Sequence, residues 1–231
     1  MVARYLGAEV QRMEDPRLLT GHGRYVDDIK LEGMLHAAFL RSSQAHAKIH
    51  SIDITAASDL VGVHRVFTLA DLGANYQKPM NQLYPAPVIE QNKTQYPLAK
   101  DEVCYVGETI AVVIADSRAI AEDALALINV EYKTLPAVID VRKALEEGSP
   151  LAHSDTESNL MGKMRSKFGD IEDAFNKADH VFSAGFMQHR GGCHSMETRG
   201  VIARDDPWGD GLTIWTSAQS PYLIRRALAN W

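Results

Sequence analysis

The sequence lacks several features that would assign the protein to a specialised class. Only two cysteines occur, Cys104 and Cys193, which favours a reducing compartment over a scaffold held by disulfides. No run of about 20 apolar residues is present that would be long enough to cross a bilayer. Residues 1–17 contain no apolar segment of the kind that defines a signal peptide. These absences predict a cytoplasmic protein without a membrane span.

The sequence also has little excess charge of either sign. Its 24 Lys and Arg residues and 30 Asp and Glu residues give a formal net charge of −6. Binding to a nucleic acid or to an anionic membrane needs clustered basic side chains, so this balance argues against both partners. A hydrophobic content of 45% is ordinary for a globular protein, and 231 residues are enough for one large domain or two modest ones.

Short catalytic motifs are absent as well. The sequence has no G-x-S-x-G elbow, no P-loop and no C-x-x-C pair. Gly-x-Gly occurs at residues 21–23 and 209–211, but neither copy continues to the third glycine of a dinucleotide-binding loop, so both are interpreted as turns. A buried carboxylate at Glu197 could be catalytic, whereas an ion pair with Arg190 or Arg199 is the simpler interpretation.

Nine histidines invite a search for a metal site. His189 and His194 form an H-x4-H pattern with Cys193 between them. A zinc site needs four ligands, or three and a water molecule, and the remaining ligands cannot be found in the sequence. Satisfied or surface histidines are the simpler interpretation, so we predict no metal ligand on this chain.

The strongest local pattern lies between residues 105 and 132. Thr109–Ala115 is a nearly all-apolar run rich in Ile and Val, typical of a strand covered on both faces. Ser117 can cap the following helix, whose apolar stripe consists of Ile120, Ala124, Leu127 and Ile128. Because β-type residues return at 130–138, the stretch predicts a strand–helix–strand unit with a right-handed crossover on one sheet. Earlier strands must cover the stripe, and Leu127→Asp should cost several kcal/mol.

The remaining secondary structure is mixed, which by pattern alone indicates an α/β or α+β protein. Strands are predicted at 34–41, 47–54 with a bulge near Ser51, 63–68, 178–187, 198–204 and 212–217. Helices are predicted at 55–60, capped by Thr55, and at 140–147, 170–175 and 222–230. The other segments should be irregular: 1–20, a short strand or bend at 25–29, a long loop at 74–100 and an exposed linker at 149–165. The last helix stops at Trp231 without a glycine cap, so we expect a piece of a longer protein.

Four segments together resemble a known family. They are EDPRLLTGHGRYVDDI (14–29), GMLHAAFLRSSQAHAKIHSID (33–53), YVGETIAVVIADSRAIAEDALALINVEYKTLPAVID (105–140) and METRGVIA…LTIWTSAQSPYLIRRALA (196–229). In this order they closely resemble the large, molybdenum-carrying subunit of the xanthine oxidase family. That family includes xanthine dehydrogenase, aldehyde oxidoreductase and aerobic carbon monoxide dehydrogenase.

The resemblance implies an α+β fold in which an α/β hammerhead domain precedes the beginning of a molybdopterin-binding domain. The implied boundaries are an N-terminal segment at 1–17, the hammerhead domain at 18–137, a linker at 138–165 and an incomplete first molybdopterin-binding domain at 166–231.

The resemblance also implies an activity, cofactors and partners. The family hydroxylates a carbon next to nitrogen or oxygen, or oxidises an aldehyde or CO, with oxygen taken from water. Its cofactor is molybdenum bound to molybdopterin cytosine dinucleotide or a related pterin, and electrons leave through iron–sulfur and FAD subunits. This chain would need the remaining molybdopterin-binding polypeptide as a further partner. A non-catalytic module that docks such subunits, in part through the 74–100 loop, is the alternative.

One site residue follows from the resemblance. Gln219, in the segment TSAQSP, matches the family glutamine that donates a hydrogen bond to an oxo ligand of molybdenum. A glutamine directly before a helix could instead cap that helix. The family's glycine-rich segment, substrate-loop arginine and catalytic glutamate have no counterpart here, and Glu197 does not match that glutamate. We therefore predict no catalytic residue on this chain, and neither cofactor retention nor turnover by the chain alone.

Overall fold

The structure is a computed structural model that describes residues 7, 9–81, 88–91, 93–188, 191 and 194–231. The chain divides into a larger unit, Gly33–Val181 with Ser220–Trp231, and a smaller unit, Met1–Glu32 with Phe182–Gln219. The helices are α1 (Asp15–Leu19), α2 (Thr55–Ser58), α3 (Arg118–Leu125), α4 (Ile171–Asn176) and α5 (Pro221–Asn230). The strands are β1 (His36–Arg41), β2 (Ala47–Asp53), β3 (Val63–Phe67), β4 (Glu102–Val103), β5 (Thr109–Ala115), β6 (Asn129–Thr134), β7 (Val201–Asp205) and β8 (Leu212–Thr216). Among the described residues, no helix combines the length and the apolar character that crossing a bilayer requires.

The larger unit is built on two antiparallel sheets. One has the strand order β1-β5-β3 and the other the order β4-β2-β6. The predicted strand β5 lies at the centre of its sheet, and both of its neighbours come from earlier in the chain, as predicted. Because β1 and β3 use both hydrogen-bonding edges of β5, β6 joins the other sheet. The predicted crossover of β5 and β6 within one sheet is therefore wrong.

Helix α3 packs on the sheet of β5 through small residues. Its predicted cap is confirmed, since the Ser117 hydroxyl accepts a hydrogen bond from the Ile120 amide at 3.3 Å. Ala121 and Ala124 are fully buried in the core that this sheet forms. The helix ends before Leu127, which turns away from the apolar face and is 43% exposed. The predicted burial of Leu127 is therefore wrong, and so is the large cost expected for Leu127→Asp.

Strand β2 confirms both a predicted strand and its irregularity. It pairs with β4 and β6, and its register against β6 shifts between Ile49 and Ser51, where the apolar alternation slips. A bulge inserts an extra residue there and changes which side chains face the core. Strands β1 and β3 likewise confirm the predictions at 34–41 and 63–68.

Several predicted elements differ from the structure. Residues 15–19 form α1, and residues 26–28 form a short 3-10 helix. Residues 140–147 form turns rather than a helix. Within the described residues, 178–187 form no strand, because their side chains are exposed and no neighbouring strand pairs with them. Thr55 does not cap α2 through its side chain; its amide instead donates to the Asp53 carboxylate at 2.9 Å.

Residues 149–165 are hydrogen-bonded to other parts of the larger unit, although the sequence predicts an exposed segment. The Asn159 side chain donates to the carbonyls of Ala144 and Pro150, each at 2.8 Å. Ile89 and Gly162 form an isolated antiparallel bridge. Parts of the 74–100 loop (82–87 and 92) lie outside the described residues.

The smaller unit contains the predicted hairpin. β7 and β8 pair antiparallel from Val201 opposite Thr216 to Asp205 opposite Leu212. The turn between them closes with a hydrogen bond from the Asp206 amide to the Gly211 carbonyl at 2.7 Å. Among the described residues of this unit, Ile29 is the only buried hydrophobic residue. The hairpin is therefore ordered mainly by its own backbone pairing.

Gly62 lies where the chain passes α3 before entering β3. Its φ is +89°, and an added Cβ would lie 2.8 Å from Cδ1 of Ile120. We expect Gly62→Ala to lower the free energy of unfolding by about 1–2 kcal/mol through left-handed strain, with a smaller further loss because the Cδ1 end of the Ile120 side chain must shift. Gly107→Ala is the matched control: its φ is +96° and nothing lies within 4 Å of the added Cβ, so strain acts alone. Urea unfolding measures both, and equal losses would contradict the steric part.

Candidate functional site

Gln219 lies between β8 and α5 in the chain, and its side chain is exposed. Ser220 occupies the N-cap position of α5, and no side chain caps this helix end. In the part of the chain that the structure describes, the side-chain amide of Gln219 makes no hydrogen bond. The helix-capping interpretation is therefore not observed, and the amide is free to donate to another group.

The strand end that leads to Gln219 is firmly attached to its neighbour. The Thr216 hydroxyl donates to the Gly200 carbonyl at 3.1 Å, and the Ser217 hydroxyl donates to the Thr198 carbonyl at 3.2 Å. Ser217 also accepts from the Gly200 amide at 3.4 Å. These bonds extend the hairpin beyond its backbone ladder, so the residues just before Gln219 have a defined position.

Glu197 has a structural contact within the smaller unit. Its Oε1 accepts the Val26 amide at 2.8 Å and so links the 3-10 turn at 26–28 to the segment that precedes β7. No ion pair with Arg199 forms among the described residues, and Arg190 lies outside them. His189 and Cys193 also lie outside the described residues, so the H-x4-H interpretation is not tested.

A cleft of about 460 Å³ opens beside this contact. It is lined by Arg17, Arg24, Tyr25, Val26, Ile29, Glu197, Ile214, Trp215, Thr216 and Ser217. Gln219 does not line this cleft. The described residues thus supply one free amide for a cofactor contact and no enclosed cavity around it.

The larger unit contains a polar cluster that no sequence pattern predicts. His46 is buried, with Nδ1 2.7 Å from the Pro136 carbonyl and Nε2 2.6 Å from Oε1 of Glu102. The Lys48 ammonium contacts the other carboxylate oxygen, Oε2. Burial tends to raise the pKa of Glu102, but hydrogen bonds from Lys48, His46 and Ser154 outweigh it and lower the pKa to about 2. Glu102 is therefore a carboxylate at neutral pH.

Cys104 belongs to the same cluster. Its Sγ lies 3.7 Å from Oε1 of Glu102 and 3.3 Å from Nδ1 of His153. Burial, together with the charges of Glu108 and Glu102, raises the pKa of the Cys104 thiol to about 12. The free thiol is protonated at neutral pH, which excludes a nucleophilic Cys–His pair in this state.

The positions of this cluster explain why the sequence did not reveal it. Its members come from four separate parts of the chain, and no spacing rule links them. The antiparallel pairing of β2 and β4 places Lys48 opposite Glu102 and brings His46 beside them. Only the register of two distant strands creates the contact.

Two family profiles match the chain. Residues 20–136 match the profile "aldehyde oxidase and xanthine dehydrogenase, a/b hammerhead domain". Residues 152–231 match the profile "molybdopterin cofactor-binding domain". These matches confirm the predicted fold class, a hammerhead domain followed by the beginning of a molybdopterin-binding domain.

Similar proteins include the large subunits of a hydroxylase and of a dehydrogenase. The chain is 43% identical to nicotine 6-hydroxylase large subunit of Paenarthrobacter nicotinovorans, over 97% of this chain and 27% of that protein. It is 38% identical to carbon monoxide dehydrogenase large chain of Afipia carboxidovorans, over 97% of this chain and 28% of that protein. The chain therefore spans little more than a quarter of the length of these relatives.

A similar solved structure is that of quinoline 2-oxidoreductase from Pseudomonas putida 86. It has a TM-score of 0.84 and 40% sequence identity, and the match covers 97% of this chain and 28% of that one. A structure of Cu,Mo-CO dehydrogenase has a TM-score of 0.81 and 36% identity, with 97% and 29% coverage.

Proposed function

Because the chain belongs to the aldehyde oxidase and xanthine dehydrogenase family, we propose that it is the N-terminal part of the molybdenum-carrying subunit of a hydroxylase. The complete enzyme would oxidise an aldehyde, an N-heterocycle or CO with oxygen derived from water. Its partners would be the remaining molybdopterin-binding polypeptide, an iron–sulfur subunit and an FAD subunit. We also propose the boundaries given above, with the hammerhead domain at 18–137 and the incomplete cofactor-binding domain at 166–231.

This proposal rests on one observation: the larger unit buries many hydrophobic side chains, whereas the smaller unit leaves most of its own exposed. The larger unit has two clusters of buried hydrophobic residues around its sheets. In the described part of the smaller unit Ile29 alone is buried, while Phe186, Met196 and Trp208 are each more than 90% exposed. Large apolar side chains exposed at this density indicate a surface that another polypeptide covers. The remaining molybdopterin-binding polypeptide is the partner that we propose for it.

Gln219 is the residue of this chain that we propose contacts the cofactor, molybdenum with molybdopterin cytosine dinucleotide or a related pterin. When bound, the cofactor would supply the two-electron oxidation. The exposed amide of Gln219 would donate a hydrogen bond to an oxygen ligand of the cofactor, which orients that ligand without adding charge. One amide cannot by itself hold a pterin dinucleotide, so the other contacts would come from the remaining polypeptide.

We expect the purified 231-residue chain to contain no stoichiometric molybdenum. Elemental analysis of the chain, expressed in cells that make the cofactor, measures this directly. The control is co-expression with a polypeptide that corresponds to the rest of a relative's large subunit, together with its iron–sulfur and FAD subunits. Molybdenum and activity in that complex would support the proposal. One molybdenum per isolated chain would contradict it, and recovery of partners without activity would favour the docking module.

A further inference from the structure

We propose that His46, Glu102 and Cys104 form a binding site for a zinc ion. Among the described residues, their ligand atoms Nε2, a carboxylate oxygen and Sγ all lie within 4.8 Å of one another. Imidazole, carboxylate and thiolate are the three ligand types that Zn²⁺ takes in proteins, and the combination of sulfur with nitrogen favours zinc over magnesium or calcium.

The contact between His46 and Glu102 is the first argument for a cation. A carbonyl oxygen can only accept, so the Pro136 carbonyl 2.7 Å from Nδ1 requires the ring proton on that nitrogen. A second ring proton on Nε2 would make the hydrogen bond to Oε1 of Glu102 at 2.6 Å, whereas without it two lone-pair acceptors would face each other. A positive group, either a proton or a metal ion, must lie between them. The Cys104 thiol donates a hydrogen bond to the same oxygen at 3.7 Å, so its sulfur, once it has lost the proton, would be a third metal ligand.

The surroundings of these ligands are those of a metal site. Histidine ligands usually donate their second N–H to a carbonyl or carboxylate, and His46 does so to Pro136. Lys48 contacts Oε2 of Glu102, which orients the carboxylate, while Oε1 faces His46 and Cys104 and also accepts the Ser154 amide at 3.0 Å. His153, with Nδ1 3.3 Å from the sulfur, is placed to complete four-coordination, or a water molecule takes that position.

The distances require only a small adjustment. Tetrahedral zinc with bonds of about 2.0 Å to nitrogen and oxygen and about 2.3 Å to sulfur separates neighbouring ligand atoms by about 3.3–3.6 Å. Of the observed separations, that between Nε2 and Oε1 is shorter than this range, at 2.6 Å, and that between Sγ and Oε1 is slightly longer, at 3.7 Å. Rotation of the Glu102 carboxylate that widens the separation of Nε2 and Oε1 from 2.6 Å by about 0.7 Å would admit the ion.

The site is accessible and its chemistry balances. A cleft of about 470 Å³ reaches Glu102, Cys104 and His153, and Glu108 and Asp155 line it as well. Zn²⁺ would bind the sulfur as thiolate, and the displaced thiol proton would pass to water through this opening. The bound ion would join β4, β2 and, through His153, the segment at 149–165.

Cobalt tests the proposal in the intact chain under reducing conditions. We expect one Co²⁺ per chain with a thiolate-to-cobalt charge-transfer band in the near ultraviolet, displaced by one equivalent of Zn²⁺. Cys104→Ser should abolish the band and weaken Zn²⁺ binding at least tenfold. Cys193→Ser should keep both, and so should His64→Ala, which removes an equivalent 2.6 Å contact of a histidine with Asp116 that involves no sulfur.

A second measurement does not depend on the folding of any variant. In the unaltered chain, one equivalent of Zn²⁺ should slow alkylation of Cys104 at least tenfold without the same effect on Cys193. The proposal is overturned if the band is absent, if it survives in Cys104→Ser, if it disappears in Cys193→Ser, or if Zn²⁺ leaves the alkylation of Cys104 unchanged. None of these measurements depends on molybdenum content. A negative result would therefore contradict the zinc site without contradicting the proposed function.

Discussion

Ala124→Asp is expected to lower the free energy of unfolding by about 3–5 kcal/mol. Ala124 is fully buried on α3, in a core shared with Ala38, Ala111 and Val113. An aspartate there would place a carboxylate among apolar side chains with no described cation to pair with it, and it would also be too large for the space. Urea unfolding followed by circular dichroism measures the loss.

Two variants serve as controls for Ala124→Asp. Leu127→Asp introduces the same charge just beyond the end of α3, where the side chain is 43% exposed, and should cost less than about 1.5 kcal/mol. Ala124→Ser adds one polar atom without charge and should fall between the two. Similar losses for both aspartate variants would mean that the apolar face of α3 is not the one that the structure shows.

Gln219→Leu is expected to lower kcat about 10- to 100-fold in the cofactor-loaded complex. This expectation rests on the proposed function. Leucine has a similar size but no amide, so the hydrogen bond to the cofactor's oxygen ligand would be lost. Because Gln219 is exposed and holds no described partner, the thermal unfolding of the isolated chain should not change. Steady-state kinetics with molybdenum content measured in the same samples gives the result per loaded site.

The companion variants separate the donor from the shape of the side chain. Gln219→Glu keeps the size but replaces the amide by an anionic acceptor, so it should be at least as impaired as the leucine variant. Gln219→Asn keeps the donor on a shorter side chain and should retain more activity than either. Unchanged kcat in Gln219→Leu at full molybdenum content would contradict a contact with the cofactor.

Local patterns were sufficient for many elements of this fold. The alternation in 34–41 and 63–68 predicts β1 and β3 because a half-buried strand repeats every two residues. Ser117 predicts the start of α3, since a hydroxyl at an N-cap satisfies an amide within a few residues. Residues 178–187 are strand-like in sequence but form no strand, because within the described residues no neighbouring strand pairs with them.

The residue order alone specified most strands, the cap of α3, the hairpin turn and, through its family motifs, the molybdenum-enzyme family. Three-dimensional pairing was needed for the rest: β6 joins the second sheet, Leu127 faces outward, and His46, Glu102 and Cys104 meet. The physical reason is the sequence separation over which each interaction acts. Alternation and capping act over a few residues, whereas strand partners and clustered side chains depend on contacts between segments more than 50 residues apart, such as His46 and Glu102 at a separation of 56.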